Sequence, residues 1–279
     1  MHAPYIGRMA PALAGLALIL PACSSNSSNS SNSSANASVA SSTAPAGPAT
    51  TTSLLSGPLN VFAAASLAGA FNSAKTTLTA ANPGLAVNFN FAGSNTLVTQ
   101  IQQSASADVF ASADTKNMQK LVAAGLVETP VTFAKNKLEI VVAAGNPKNI
   151  TSLASLAKPD LTVVLEAEGV PAGEYTRQVF AAKNISVTPK SLETDVKSAL
   201  SKVASGEADA TVVYVTDVVA AGTKVAGVTI PDADQPSITY PIAVVKAAKN
   251  HAAAQAFVES AVSGDVQKAL ESAGFAAPH

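Results

Sequence analysis

Tryptophan is absent from the 279 residues, and cysteine occurs once, at Cys23. A lone cysteine excludes an intrachain disulfide and any multi-cysteine zinc or iron–sulfur site. Histidine stands only at His2, His251 and His279, which argues against a multi-histidine metal centre. Arginine is confined to Arg8 and Arg177, and charged residues make up only 13% of the chain. With 17 basic and 18 acidic side chains the formal net charge is −1. No broad basic surface therefore points to nucleic acid or acidic lipid. An anion bound by such a chain would meet mainly neutral donors.

What is present begins with a leader. Arg8 precedes an apolar run from Met9 to Ala22, too short for a comfortable membrane span but the right length for a signal peptide. Met1 or Met9 could serve as the start. Leu20-Pro21-Ala22-Cys23 resembles a bacterial lipobox, in which the cysteine is lipidated and becomes the new N-terminus. Pro21 departs from the usual residue there, and the alternative is a conventional secretory signal with an incidental cysteine. The expectation is a signal peptide over 1–22, a lipid anchor on Cys23 and a tether over 23–56. The tether is built from Ser, Asn, Ala, Thr and Pro, with no charge between Cys23 and Lys75. It cannot bury enough apolar surface to offset its ordering entropy. As a flexible coil it would reach roughly 30 Å.

From about residue 57 strands and helices alternate. An apolar strand through Leu59, Val61 and Phe62 runs into Ala63-Ala64-Ala65, and Ser66 then opens a helix over 66–81. Leu67, Phe71, Ala74 and Leu78 form its apolar stripe. Leu85, Val87, Phe89 and Phe91 alternate with smaller or polar residues as a second strand, followed at once by Gly93-Ser94-Asn95 and a helix carrying Leu97 and Ile101. A third strand, Asp108 to Ala111, leads to Ser112-Ala113-Asp114, with Asp114 as helix cap. Further strands are read at 138–143, 160–165, 209–214, 225–230 and 237–245. Pro241 within the last argues for an edge position or an interruption. Pro171 suits a first helical turn. Ser191 to Asp195 introduces a helix with Leu192, Val196, Leu200 and Val203 on one face. Two short helices close the chain.

This rhythm implies a mixed α/β architecture. Breaks near 135–137 and 232–238 divide it into two lobes: 57–136 with 237–279, and 137–236. Strand ends feeding helix starts are where α/β sheets place ligands. Ser66 is either an N-cap or a hydroxyl lent to a ligand. The Ser94 turn repeats the arrangement without the pattern of a nucleotide P-loop. Asp108 and Asp114 are read as structural. The Val170 amide is a possible donor. Tyr214 either seals the core or donates to an oxyanion.

Across these junctions the sequence resembles the periplasmic molybdate-binding proteins of ATP-driven importers. The matching stretches are Val61-Phe62-Ala63-Ala64-Ala65-Ser66-Leu67, Gly93-Ser94-Asn95-Thr96-Leu97 and Ala107 to Asp114. The match continues through Val170-Pro171-Ala172-Gly173, Glu193-Thr194-Asp195-Val196, Val212-Val213-Tyr214 and Tyr240 to Val245. The resemblance implies a two-lobed periplasmic-binding-protein fold, each lobe a mixed sheet flanked by helices, with the cleft between. It implies capture of molybdate or tungstate without chemistry, no cofactor, and no protein ligand to the metal itself. Carried onto this chain, the oxyanion contacts are Ser66, Ser94, Ala113, Val170 and Tyr214. Asp195 supports them, because its own carboxylate would repel an anion. The implied partners are the transmembrane subunits of an ABC permease and, through the lipid anchor, the outer face of the cell membrane; the expected state is a monomer. Gly93-Ser94-Asn95 and Gly169 depart slightly from relatives.

Three other readings compete. Sulfate or another tetrahedral oxyanion is the nearest. An envelope hydrolase using Ser66 or Ser94 lacks a Gly-x-Ser-x-Gly elbow and has only His251 and His279 as histidine bases in the mature domain. A structural adhesin would explain the tether but not the repeated strand-to-helix turns.

Overall fold

The computed structural model describes residues 54–278. The expected signal peptide, Cys23 and the expected tether up to residue 53 lie outside the described residues. The elements in chain order are β1 (Ser56–Ala64), a 3-10 turn Ala65–Leu67, α1 (Ala68–Ala81), β2 (Gly84–Ala92) and α2 (Ser94–Gln102). There follow β3 (Val109–Ala111), α3 (Thr115–Ala123), β4 (Val131–Asn136), β5 (Leu138–Ala143) and β6 (Val164–Glu166). Next come α4 (Pro171–Ala182), β7 (Ser191–Glu193), α5 (Val196–Ala204), β8 (Ala210–Tyr214) and α6 (Val215–Ala221). The chain ends with β9 (Val225–Thr229), β10 (Ile238–Val244), α7 (His251–Ser263) and α8 (Asp265–Ser272).

Two sheets organise these elements. The first has five strands in the order β2-β1-β3-β10-β4, with β1 parallel to both neighbours and β10 antiparallel to both of its own. The second has three antiparallel strands in the order β8-β5-β9. The parallel pair β6-β7 joins its β8 edge through a bridge between Val163 and Ala210. Helices flank both sheets, and the chain passes between them twice, after β4 and after β9. Gln235 ties the two crossings together: Leu138 N–H donates to its Oε1 at 2.8 Å, and its Nε2 donates to Leu138 O at 2.8 Å and Ile230 O at 3.1 Å.

The buried faces follow the sequence pattern. Leu59, Val61, Leu85 and Val87 point into the core of the first sheet, where Phe71 packs against Phe89, Phe133 and Phe257. Asp108 is structural: its carboxylate accepts from the amides of Asn60, Lys249 and Asn250, stitching β1 to the return segment.

Several expectations need correction. The first helix begins at Ala68, not Ser66, because residues 65–67 form a separate 3-10 turn, and no side chain caps either start. Leu192 is not on a helix face; it lies in β7, which pairs with β6, and its side chain is exposed. The helix starts only after Asp195, whose carboxylate accepts from Lys197 N and Ser198 N. β10 is not an edge strand, since it pairs with β3 and β4. Pro241 interrupts it instead, with the β4 register shifting between Tyr240 and Pro241. β4 and α6 had no counterpart in the sequence reading.

Candidate oxyanion site

Six segment ends meet at one small cavity. Its lining is Ala64, Ala65, Ser66, Ala92, Gly93, Ser94, Ala113, Val170, Pro171, Ala172, Asp195, Val196 and Tyr214. All five candidate contacts and Asp195 are therefore in one place, from both sheets. The space is about 10 Å³ measured at the centre of a water-sized sphere, about one such position. An extended solute such as a sugar or peptide does not fit the cavity in this state.

The local reason is the recurring strand-to-helix turn. α2 begins at Ser94, and the amides of Ser94, Asn95 and Thr96 precede the first residue that can bond back within the helix. α4 begins at Pro171 with Val170 as N-cap. Pro171 has no N–H, so Ala172 and Gly173 carry the first amides of that helix. Such ends favour negative charge. No lysine or arginine is among the residues that line the cavity, so dipoles rather than cations are what can favour an anion there.

Hydrogen bonds already order several donors. Ala113 N–H donates to Ser94 Oγ at 3.1 Å. Ser66 Oγ and Tyr240 Oη are paired at 3.1 Å, so Ser66 is a hydroxyl held by a tyrosine rather than a helix cap. Val170 N–H donates to Ala167 O at 3.2 Å, closing the turn before α4. Asp114 caps α3, accepting from Asn117 N at 2.9 Å, and burial is the main cause that raises its carboxyl. Asp195 is fully engaged: its second oxygen accepts from Ser198 Oγ at 3.1 Å and Thr194 Oγ1 at 3.3 Å. Its negative charge is thereby turned onto α5.

Tyr214 ends β8 with its side chain wholly buried, and no group among the described residues pairs with its hydroxyl. Tyr240 is its neighbour, ring centroids 5.7 Å apart. Burial pushes the Tyr214 phenol well above its usual range, with the neighbouring tyrosines adding to the rise, so it stays protonated and available as a donor.

Glycine permits the close approach of the two sides. A Cβ on Gly93 would lie 2.5 Å from Thr194 O, across the cleft. Among the described residues no cluster of three or more His, Cys, Asp or Glu is placed to hold a metal ion. None of their helices is long and apolar enough to cross a membrane.

The model of the bacterial extracellular solute-binding proteins matches residues 59–276. The chain belongs to that family. An extracytoplasmic location follows from the family. The molybdate-binding protein ModA of Mycobacterium tuberculosis (strain ATCC 25618 / H37Rv) is 46% identical over 219 residues, covering 78% of this chain and 84% of that protein. The structure of the Azotobacter vinelandii periplasmic molybdate-binding protein aligns with a TM-score of 0.68 at 22% identity, covering 79% of this chain and 100% of that one. The sulfate-binding protein SubI from Mycobacterium tuberculosis H37Rv aligns with a TM-score of 0.69 at 21% identity, covering 79% and 87%. These two likenesses establish the fold, a two-lobed periplasmic-binding-protein architecture, and do not distinguish one anion from another.

In this solute-binding protein the sequence reading missed Tyr240 as a support of Ser66. The two are 174 positions apart, and no local pattern links them. It also missed Asn117, a wholly buried amide on α3 that reaches across the cleft.

Proposed function

We propose that this chain captures molybdate, and tungstate with it, outside the cytoplasmic membrane and delivers it to an ABC permease. One observation carries the reading. Hydroxyls and helix-start amides from both sheets converge on a cavity without a cation, in a chain 46% identical to a molybdate-binding ModA. A tetrahedral dianion needs several converging donors, and a fixed dipolar cage meets that need without a full counter-charge.

In this reading Ser66, Ser94 and Tyr214 donate through hydroxyls, and Ala113 and Val170 through backbone amides. The Ala113 amide must share or release its bond to Ser94 Oγ, and the Val170 amide its bond to Ala167 O. Molybdenum itself has no protein ligand; all contacts run through its oxygens, and no bond is made or broken. Asp195 orients the start of α5. The lobes are 57–136 with 237–279, and 137–236. Residues 1–22 are the signal peptide, Cys23 carries the lipid, and the segment from residue 24 is the tether, which ends ahead of β1 since that strand already begins at Ser56. Replacing Cys23 by Ser should move the protein from the membrane fraction to the soluble one. Retention at the membrane would sink the anchor.

The test of the anion is competitive calorimetry with molybdate, tungstate and sulfate. Tight molybdate binding unaffected by millimolar sulfate is expected. Strong sulfate binding without molybdate binding would replace this reading with sulfate capture, the second reading, which the likeness to SubI keeps in play.

A further inference from the structure

We propose that Lys116, Asn117, Gly169 and Glu174 form a latch across the cleft mouth that holds the closed state and slows release of the anion. The proposal rests on the anion-binding reading above.

The two halves of the latch belong to different lobes. Lys116 and Asn117 sit on the first turn of α3, which packs against α2 and β10 of the first sheet. Gly169 and Glu174 sit in the turn before α4 and on its first turn, which packs against β6 and β8 of the second. Asn117 is wholly buried. Its Nδ2 donates to Asp114 Oδ2 at 3.0 Å within α3 and to Gly169 O at 3.1 Å on the other lobe. Lys116 Nζ donates to Glu174 Oε2 at 2.9 Å. Glu174 Oε1 in turn accepts from Gly169 N at 3.0 Å and from Arg177 at 3.1 Å. Both backbone groups of Gly169 are thus held, the carbonyl from one lobe and the amide from the other. Its φ of +83° is one that glycine adopts freely.

The position gives the latch its purpose. Asn117 is fastened to Asp114, the residue after Ala113. Gly169 is the residue before Val170. The latch therefore joins the two backbone segments that face each other across the anion cavity. The cross-cleft bonds add nothing to either lobe alone; they exist only when the lobes meet. A device of this kind slows opening more than it speeds closing. Glu174 remains charged through the physiological range, because the Gly169 amide first, then Lys116, holds its carboxyl down at about 2.

The two bonds differ in weight. Lys116 is 63% exposed in its side chain, and an exposed ion pair contributes about fivefold at most. The buried Asn117 amide has no water to fall back on, so its loss should count for about ten- to a hundredfold.

The experiment is release of radiolabelled molybdate from the full chain, chased with unlabelled molybdate. Asn117→Ala should raise the release rate about ten- to a hundredfold. Since that variant also loses the bond to Asp114, Lys116→Glu is the companion. It leaves α3 intact and sets two carboxylates face to face. Its release should be about tenfold faster at low salt, and high salt should shrink the difference. Release at the wild-type rate by both variants, with wild type binding normally, overturns the latch. A wild-type chain that binds no molybdate overturns the reading beneath it, and the latch with it.

Discussion

Tyr214 is the residue at which stability and binding should part company. Its hydroxyl is buried and no group among the described residues pairs with it. A buried unpaired hydroxyl costs the folded state free energy. Tyr214→Phe removes the hydroxyl and leaves the ring in place. The melting temperature without ligand should stay level or rise, while molybdate affinity by calorimetry falls about ten- to a hundredfold, the usual worth of a hydrogen bond to a charged group. Loss of stability with unchanged affinity would make Tyr214 a core residue and remove it from the site. Ser94→Ala differs in sign, because it strips a partner from the Ala113 amide. It should weaken binding and lower stability slightly.

Glu166 behaves differently again. It is wholly buried at the end of β6, and neither carboxyl oxygen has a side-chain or backbone partner from another of the described residues. Burial is the chief cause that lifts its carboxyl from 4.5 to about 8, with Asp217 adding to the rise and Arg177 opposing it. The folded chain thus keeps a proton that the unfolded chain gives up between about 4.5 and about 8. Its contribution to stability is full below about 4.5 and declines as pH rises, by about 1.4 kcal/mol per pH unit at the steepest. Above about 8 it is lost. Glu166→Gln should flatten this slope and raise the melting temperature on the alkaline side. Parallel melting curves for the two proteins across the window would show that Glu166 is not the source.

At the scale of elements, Gly93 decides how closely α2 can approach the opposite lobe. Its φ of −58° suits alanine, so Gly93→Ala leaves the local backbone unstrained. The added Cβ would lie 2.5 Å from the fixed Thr194 O across the cleft and 2.8 Å from Asn95 Oδ1, the end of a side chain that can turn away. Unliganded stability should be near wild type, and molybdate affinity should drop about tenfold or more. Wild-type affinity in Gly93→Ala would mean that Thr194 gives way easily. Elements of this kind were partly legible in the sequence. The alternation Leu85, Val87, Phe89, Phe91 announced β2, and Asp114 announced α3, because period and capping are local properties. β7 was not legible: it is three residues long, with Leu192 exposed, and exists through its pairing with β6. The residues around Ser66 leave it between a helix cap and a hydroxyl lent to a ligand, since nothing nearby in the chain signals that Tyr240 holds that hydroxyl. Cross-cleft contacts such as that of Asn117 leave no local signature, because they depend on two segments 52 positions apart meeting at closure.

At the scale of the whole molecule, the same unpaired groups couple the anion to the lobe angle. Closure gathers the Tyr214 hydroxyl and the first amides of α2 and α4 into a space about one water position wide. Without an anion, that confinement takes polar groups from water and leaves some of them without partners, at about 1–3 kcal/mol each. The cross-cleft bonds of Asn117 and Lys116 work in the opposite direction. Two such contacts do not offset several desolvated donors, so the unliganded chain should favour open lobes, in which water reaches the cage. A tetrahedral dianion pairs the donors and reverses the balance. Small-angle scattering of the full chain, with and without molybdate, should therefore show compaction on binding, since the N-terminal segment is common to both samples. In Gly93→Ala the compaction should be smaller at saturating molybdate, because Thr194 stops the lobes before they meet. Superimposable profiles for wild type with and without molybdate would mean that the lobes are already closed. Selection would then rest on the preformed cage alone.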